Sequence, residues 1–251
     1  MPTHPRIALH LCIGLALALP MSAVAAAAAP HCAAQSSARV PVLVELYTSE
    51  GCSSCPPADR WLSAMKDRPD MVALSFHVDY WDRLGWKDRF SSPTYSQRQA
   101  QLLRSNGARY AYTPQVLIDG RDQPRWSGMA WPAQRPAASV QATLQRDGDG
   151  YRAEVQRLSG APPRIAGFWA LTEDGHASAV KSGENSGAML THDFVVREYA
   201  PLASWDAGDA AALQLRFSPS RPVDAAHPRR INLVLVDADS GRVLQALALN
   251  C

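Results

Sequence analysis

The stretch Val40-Pro41-Val42-Leu43-Val44-Glu45-Leu46-Tyr47-Thr48-Ser49-Glu50-Gly51-Cys52-Ser53-Ser54-Cys55-Pro56-Pro57-Ala58-Asp59 decides how this chain is read. From Val40 to Thr48 it is apolar and rich in β-branched residues, the pattern of a buried strand. Ser49-Glu50-Gly51 breaks that strand. A helix is expected to start near Cys52, because Pro56 and Pro57 are tolerated only in a first turn, where backbone N–H groups have no intrahelical partner. Ala58, Trp61, Leu62 and Met65 then form its apolar stripe. The two cysteines fall between strand and helix. A helix N-terminus carries about half a positive charge and stabilises a thiolate there. Cys52 is therefore expected to be exposed at the turn as the attacking thiol. Cys55 is expected one turn inside, placed to resolve a mixed disulfide.

Outward from this segment, Pro69 closes the first helix and Met71 to Val78 reads as a second strand. Asp79 to Ser92 is an aromatic insertion with Tyr80, Trp81, Trp86 and Phe90. Trp81, with Trp86 and Tyr80, is a candidate lining of a substrate groove. A helix is expected from Thr94 to Ser105, closing at Asn106-Gly107. Gln115 to Ile118 is a strand ending in an Asp119-Gly120 hairpin turn. A return strand is expected near Arg125-Trp126-Ser127, and a last helix from Ala133 to Arg146. Asp147-Gly148-Asp149-Gly150 marks a change to strands separated by turns. Candidates are Tyr151–Leu158, Ile165–Thr172, Asp193–Glu198, Ala211–Phe217, Ile231–Val236 and Arg242–Ala248, suggesting a small antiparallel sheet or sandwich.

Of 251 residues, 25 are Lys or Arg and 23 are Asp or Glu, a formal charge of +2 with no basic run. Nucleic acid and anionic membrane surfaces are therefore not expected partners. Arg6, the apolar stretch Ile7 to Leu19 and the small residues Ser22-Ala23-Val24-Ala25 form the pattern of a secretory signal peptide, cleaved after Ala25 or a nearby Ala; counted through to Ala29, the stretch also reaches the length of an uncleaved membrane anchor, the alternative reading. No later segment is apolar enough to span a membrane. Export makes disulfides durable. Cys12 leaves with the signal peptide, and the four remaining cysteines allow three connectivities. Their spacing favours Cys52 with Cys55 and Cys32 with Cys251. The expected organisation is a signal peptide at 1–25, a loose leader at 26–39, an α/β domain at 40–146 and a mainly β accessory domain at 147–251.

Three local features resemble the thioredoxin-like superfamily: the strand Val42 to Tyr47, the pair Cys52-Ser53-Ser54-Cys55, and Thr113-Pro114 before the strand at Gln115. The resemblance implies a central mixed sheet flanked by helices over 40–146, followed by a mainly antiparallel β C-terminal domain. It implies a cis proline at Pro114 that, with Thr113, faces the cysteines and helps bind an extended substrate segment. It also implies a buried carboxylate, here Glu45, that relays protons to the resolving cysteine. More closely, residues 47–59, Ser75-Phe76-His77-Val78-Asp79-Tyr80-Trp81-Asp82 and Gly183-Glu184-Asn185 resemble DUF1223, an exported bacterial family of uncharacterised function. The expected protein is thus a periplasmic or secreted thiol–disulfide oxidoreductase acting through Cys52 and Cys55 on a protein or small-molecule thiol or disulfide, without a cofactor. Two other classes stand beside it. One is a non-catalytic binding module with a structural disulfide. The other is a Cu(I) or Zn metallochaperone using Cys52, Cys55 and His77.

Overall fold

The computed structural model describes Met1, residues 32–208 and residues 212–251. Apart from Met1, the expected signal peptide at 1–25 lies outside the described residues, as does the leader up to residue 31. From residue 32 onward the described residues form one compact unit.

Its centre is β2 (Val42–Thr48), in which every residue is buried. A strand apolar on both faces must be covered on both, which places it inside a sheet and between layers. β2 pairs in parallel with β3 (Met71–His77) and antiparallel with β4 (Gln115–Ile118). Side chains alternate across the sheet. Val42, Val44 and Leu46 pack with Ala58 and Leu62 of α1 (Pro56–Ser63), whereas Leu43 and Tyr47 pack with Tyr95 of α2 (Pro93–Ser105). The Asp119-Gly120 turn has φ of 51° and 77°, the left-handed pair that a two-residue hairpin requires, and leads directly into β5 (Arg121–Asp122).

On the other side of β3 the sheet continues with strands from the second half of the chain. These are β8 (Arg164–Glu173), β11 (Val195–Asp206), β13 (Arg229–Asp237) and β14 (Val243–Asn250). The eight-stranded order is β14-β13-β8-β11-β3-β2-β4-β5. The halves join where β11 meets β3 in parallel at Val195 and Ser75, reinforced by the Ser75 N–H donating to the Phe194 carbonyl at 2.8 Å. A four-stranded sheet of β1 (Ala33–Gln35), β6 (Val140–Asp147), β7 (Gly150–Arg157) and β12 (Leu213–Phe217) packs over the far end. Val140, Ala142, Leu144 and Val155 meet Ile165, Trp169, Leu233 and Leu247 there. A small hairpin, β9 (His176–Ala179) with β10 (Met189–His192), projects beside α1.

This architecture overturns the expected fold class. Strands make up 43% of the structure and helix 12%. Only two α-helices occur among the described residues. The helix-flanked α/β domain with a thioredoxin-like fold is therefore not what the chain builds. The main sheet takes in strands from both halves, and much of its surface is covered by a second sheet instead of helices. The decisive local error lies at Ala133 to Arg146. Ala, Gln, Leu and Arg favour helix, but Val140, Ala142 and Leu144 are buried at every second position, and that alternation selects strand β6. Arg125-Trp126-Ser127 is likewise not the return strand. β5 fills that role, and Trp126–Gly128 is a single 3-10 turn. No helix among the described residues is long and apolar enough to cross a membrane.

Cys32 and Cys251 form a disulfide with Cα atoms 5.8 Å apart. It ties the residue before β1 to the residue after β14. A bridge closing so long a loop removes much of the freedom of the unfolded chain. The double substitution Cys32→Ser, Cys251→Ser should lower unfolding stability by about 2–4 kcal/mol, read by denaturant titration of oxidised protein. An unchanged midpoint would show that this tie contributes nothing.

Candidate functional site: the Cys52–Cys55 loop

Residues 49–55 leave β2 and turn back into α1. Cys52 N–H donates to the Ser49 carbonyl and Cys55 N–H to the Cys52 carbonyl, both at 3.2 Å. Cys55 is the residue that caps α1, and Pro56 and Pro57 occupy its first positions, as their missing N–H groups predict. Cys52 and Cys55 are joined in a disulfide, Cα atoms 5.4 Å apart. Both cysteines are fully buried, and the exposed residues of the loop are Ser53 and Ser54. This corrects the expectation of an uncovered Cys52. The turn folds inward because its backbone is held from outside.

Those anchors come from far along the chain. Asn185 donates through Nδ2 to the carbonyls of Glu50 and Cys52, each at 2.9 Å. Glu184 Oε2 accepts from the Ser53 N–H at 3.0 Å and the Ser53 hydroxyl at 2.8 Å. These two hydrogen bonds hold the exposed Glu184 carboxyl below its usual pKa. Gly183-Glu184-Asn185, to which sequence reading assigned no chemistry, is thus the segment that fixes the cysteine loop. Asp88 Oδ2 accepts from the Glu50 N–H at 2.9 Å.

The aromatic insertion supplies the other wall. Trp81 Nε1 donates to Thr113 Oγ1 at 2.7 Å, and a side chain at Gly51 would crowd the Trp81 Cβ at 3.2 Å. The Thr113–Pro114 peptide is cis, and the Thr113 carbonyl faces the Ser54 hydroxyl at 3.5 Å. Cys52, Cys55, Trp81, Thr113 and Pro114 are therefore brought into one region. Glu45 is not. It lies on the face of β2 opposite α1, in a buried ion pair with Arg98. The Arg98 guanidinium is in turn boxed by Phe76, Phe168 and Tyr199, 4.2 Å from the Phe168 ring.

Beneath the loop is a buried charged cluster that sequence reading did not assemble. Glu50 Oε2 accepts from Trp86 Nε1 at 2.7 Å. Its Oε1 lies 3.5 Å from His192 Nε2, and His192 Nδ1 lies 3.9 Å from Asp59 Oδ1. Asp59 Oδ2 accepts from the Thr48 hydroxyl at 3.1 Å. Glu50, His192 and Asp59 are 0%, 2% and 6% exposed, so their charges are compensated mainly by one another. A second pair, His77 Nδ1 with Asp88 Oδ2 at 2.6 Å, packs alongside, the His77 and His192 rings 4.9 Å apart. His77 is thus engaged with Asp88. Among the described residues no group of three His, Cys, Asp or Glu side chains is arranged to hold a metal ion. Asp59 and His192 are 133 positions apart in sequence, and only the β9–β10 hairpin beside α1 unites them. His192 was visible in the sequence, but its partners were not.

Burial alone would lower the His192 pKa, but Asp59 and Glu50 outweigh it and raise the imidazole to about 9. Burial likewise pushes the Glu50 carboxyl up, and contacts with His192, Ser178 and Trp86 bring it below its usual range. The folded state therefore binds the His192 proton more tightly than the unfolded chain, where histidine titrates near 6.5. That stabilisation is complete below about pH 6.5 and is lost as pH rises through about 9. Urea unfolding at a series of pH values should show the native protein losing about 1–3 kcal/mol relative to His192→Gln across this window. Parallel pH profiles would contradict a charged His192.

The family described as a protein of unknown function, DUF1223, matches residues 43–235. A crystal structure of a protein from Agrobacterium tumefaciens is similar over 84% of this chain and 95% of its own, at 24% identity and a TM-score of 0.63. HBP35 of Porphyromonas gingivalis is similar over 85% of this chain and 76% of its own, at 12% identity and a TM-score of 0.55. At these identities the likeness is one of fold. No curated protein matches the chain.

Proposed function

The chain belongs to the DUF1223 family, and we propose that it is a thiol–disulfide oxidoreductase working in the periplasm or after secretion, with Cys52 and Cys55 as its redox pair. The observation that carries this reading is the position of the disulfide. It joins the N-cap of α1 to the turn before it, where the helix end favours a thiolate. Thr113, Pro114 and Trp81 border the same loop. A bridge across two intervening residues also constrains the unfolded chain little, so its stabilising value alone is a weak reason for it. Two disulfides suit a compartment outside the reducing cytosol.

In this reading the reduced Cys52 thiolate attacks a disulfide of the partner. One partner sulfur leaves as a thiolate, and Cys52 holds the other in a mixed disulfide. Cys55 then attacks Cys52, re-forming the bridge and releasing the second partner sulfur. Thr113, Pro114 and Trp81 form the wall along which the partner lies. Because both cysteines are buried, the contacts of Glu184 and Asn185 with the loop must yield before a partner sulfur reaches Cys52.

The same burial favours a second reading, a static bridge in a binding module, and trapping separates the two. Reduced Cys55→Ser incubated with oxidised glutathione should accumulate a mixed disulfide on Cys52, read by mass spectrometry. Cys52→Ser should accumulate far less on Cys55. No adduct on either thiol, with the fold intact, favours the static bridge. Preferential labelling of Cys55 reverses the roles.

A further inference from the structure

The resolving step in the proposed exchange needs a base. Cys55 must lose its proton before it can attack Cys52, yet it is buried away from water. The residue expected from sequence, Glu45, is on the wrong face of β2 and is neutralised by Arg98. Another carboxylate meets the requirement. Asp59 follows Cys55 by four residues on α1, its N–H donating to the Cys55 carbonyl at 3.1 Å. Side chains at that spacing lie on one face of a helix, one above the other. Asp59 is almost wholly buried and is oriented by two groups, the Thr48 hydroxyl on one oxygen and His192 near the other.

We propose that Asp59 is the proton acceptor for Cys55, and that His192 is a positioning residue holding the Asp59 carboxylate in place. The inference rests on the exchange reading above. The step balances as follows. The Cys55 thiol proton passes to the Asp59 carboxylate. The Cys55 thiolate attacks Cys52 Sγ, forming the Cys52–Cys55 bond and breaking the bond from Cys52 to the partner sulfur. The partner leaves as a thiolate and takes a proton from water, and Asp59 returns its proton to solvent. The two electrons of the dithiol end on the partner.

The groups facing His192 suit this task. Glu50 from the loop before Cys52 and Asp59 from α1 flank its two nitrogens. The rings of His77 and Phe90 close the remaining sides, 4.9 and 5.8 Å away. Asp88, paired with His77, adds a further negative charge near Glu50. The imidazole thus stands between two carboxylates and fixes where the Asp59 side chain lies, and a carboxylate is a form able to take a proton.

The test uses reduced full-length protein and a symmetric aromatic disulfide whose released thiolate is coloured. Attack by Cys52 releases one equivalent and resolution by Cys55 releases the second, so stopped-flow absorbance separates the steps. Native protein should resolve at a rate that changes little between pH 6 and 8. In Asp59→Asn the first phase should be unchanged. The second should be at least tenfold slower at pH 6 and rise about tenfold per pH unit, because Cys55 must now ionise unaided below an ordinary thiol pKa of about 8.5. Asp59→Glu should restore part of the native profile. A merely structural Asp59 would slow both phases or neither, and either result overturns the proposal. Should Asp59→Asn fail to fold, His192→Gln carries the same question. Its second phase should slow while the first is kept, and an unchanged second phase, or equal slowing of both, overturns the assignment. Absence of the first phase in native protein is a different result. It removes the exchange reading itself, and this inference with it.

Discussion

The structure around the cysteines depends on one constraint, the fixing of residues 49–55 by hydrogen bonds from distant side chains. Asp88 holds the Glu50 N–H, Asn185 holds the Glu50 and Cys52 carbonyls, and Glu184 holds the Ser53 N–H. A seven-residue turn between a buried strand and a helix exposes polar backbone that must be satisfied. Here it is satisfied by side chains of the aromatic insertion and of the loop between β9 and β10. Those segments are therefore part of the site, not decoration on a self-sufficient strand–turn–helix. The same anchors draw Cys52 out of solvent and make access to it a matter of loop movement.

The charge beneath the loop follows from that arrangement. Burying Glu50, Asp59, His192, His77 and Asp88 together costs desolvation energy that apolar residues of similar size would not. The cost is reduced by pairing each acid with an imidazole or a donor: Glu50 with Trp86 and His192, Asp59 with Thr48 and His192, Asp88 with His77. Clusters of this kind concentrate at functional sites, where titration is useful. This cluster lies beneath the Cys52–Cys55 loop, within one helical turn of Cys55, the placement that the proposed transfer of the Cys55 proton to Asp59 requires. The Glu45–Arg98 pair across the sheet shows the contrast. It sits in an aromatic box on the face of β2 opposite α1, and it joins α2 to β2.

What could be read from the sequence was local. β2, β3, α2, the Asp119-Gly120 turn and most C-terminal strands announce themselves through apolar alternation, proline placement and turn residues. The two disulfides were legible because an adjacent pair leaves only the chain ends to join. The fold class was not legible, because it is set by pairing between remote segments. Nothing in Ser75 or Val195 signals that β3 and β11 meet and carry the sheet into the second half of the chain. β6 was misread because its composition favours helix while its burial has period two. The candidate site divided in the same way. Cys52, Cys55 and Thr113-Pro114 are contiguous signals, whereas Asp59 with His192 and Cys52 with Asn185 are partnerships across more than a hundred residues.

The central claim is that Cys52–Cys55 is a labile redox pair and not a permanent staple. Its reduction potential tests this most directly. The oxidised protein would be equilibrated in graded dithiothreitol and glutathione buffers, and the fraction of free Cys52 and Cys55 read by alkylation and peptide mass. The account predicts a midpoint above about −300 mV, in the range of exchangeable disulfides, with Cys32–Cys251 reduced only under more reducing conditions. A midpoint below about −300 mV for Cys52–Cys55 would mark it as structural and contradict the account.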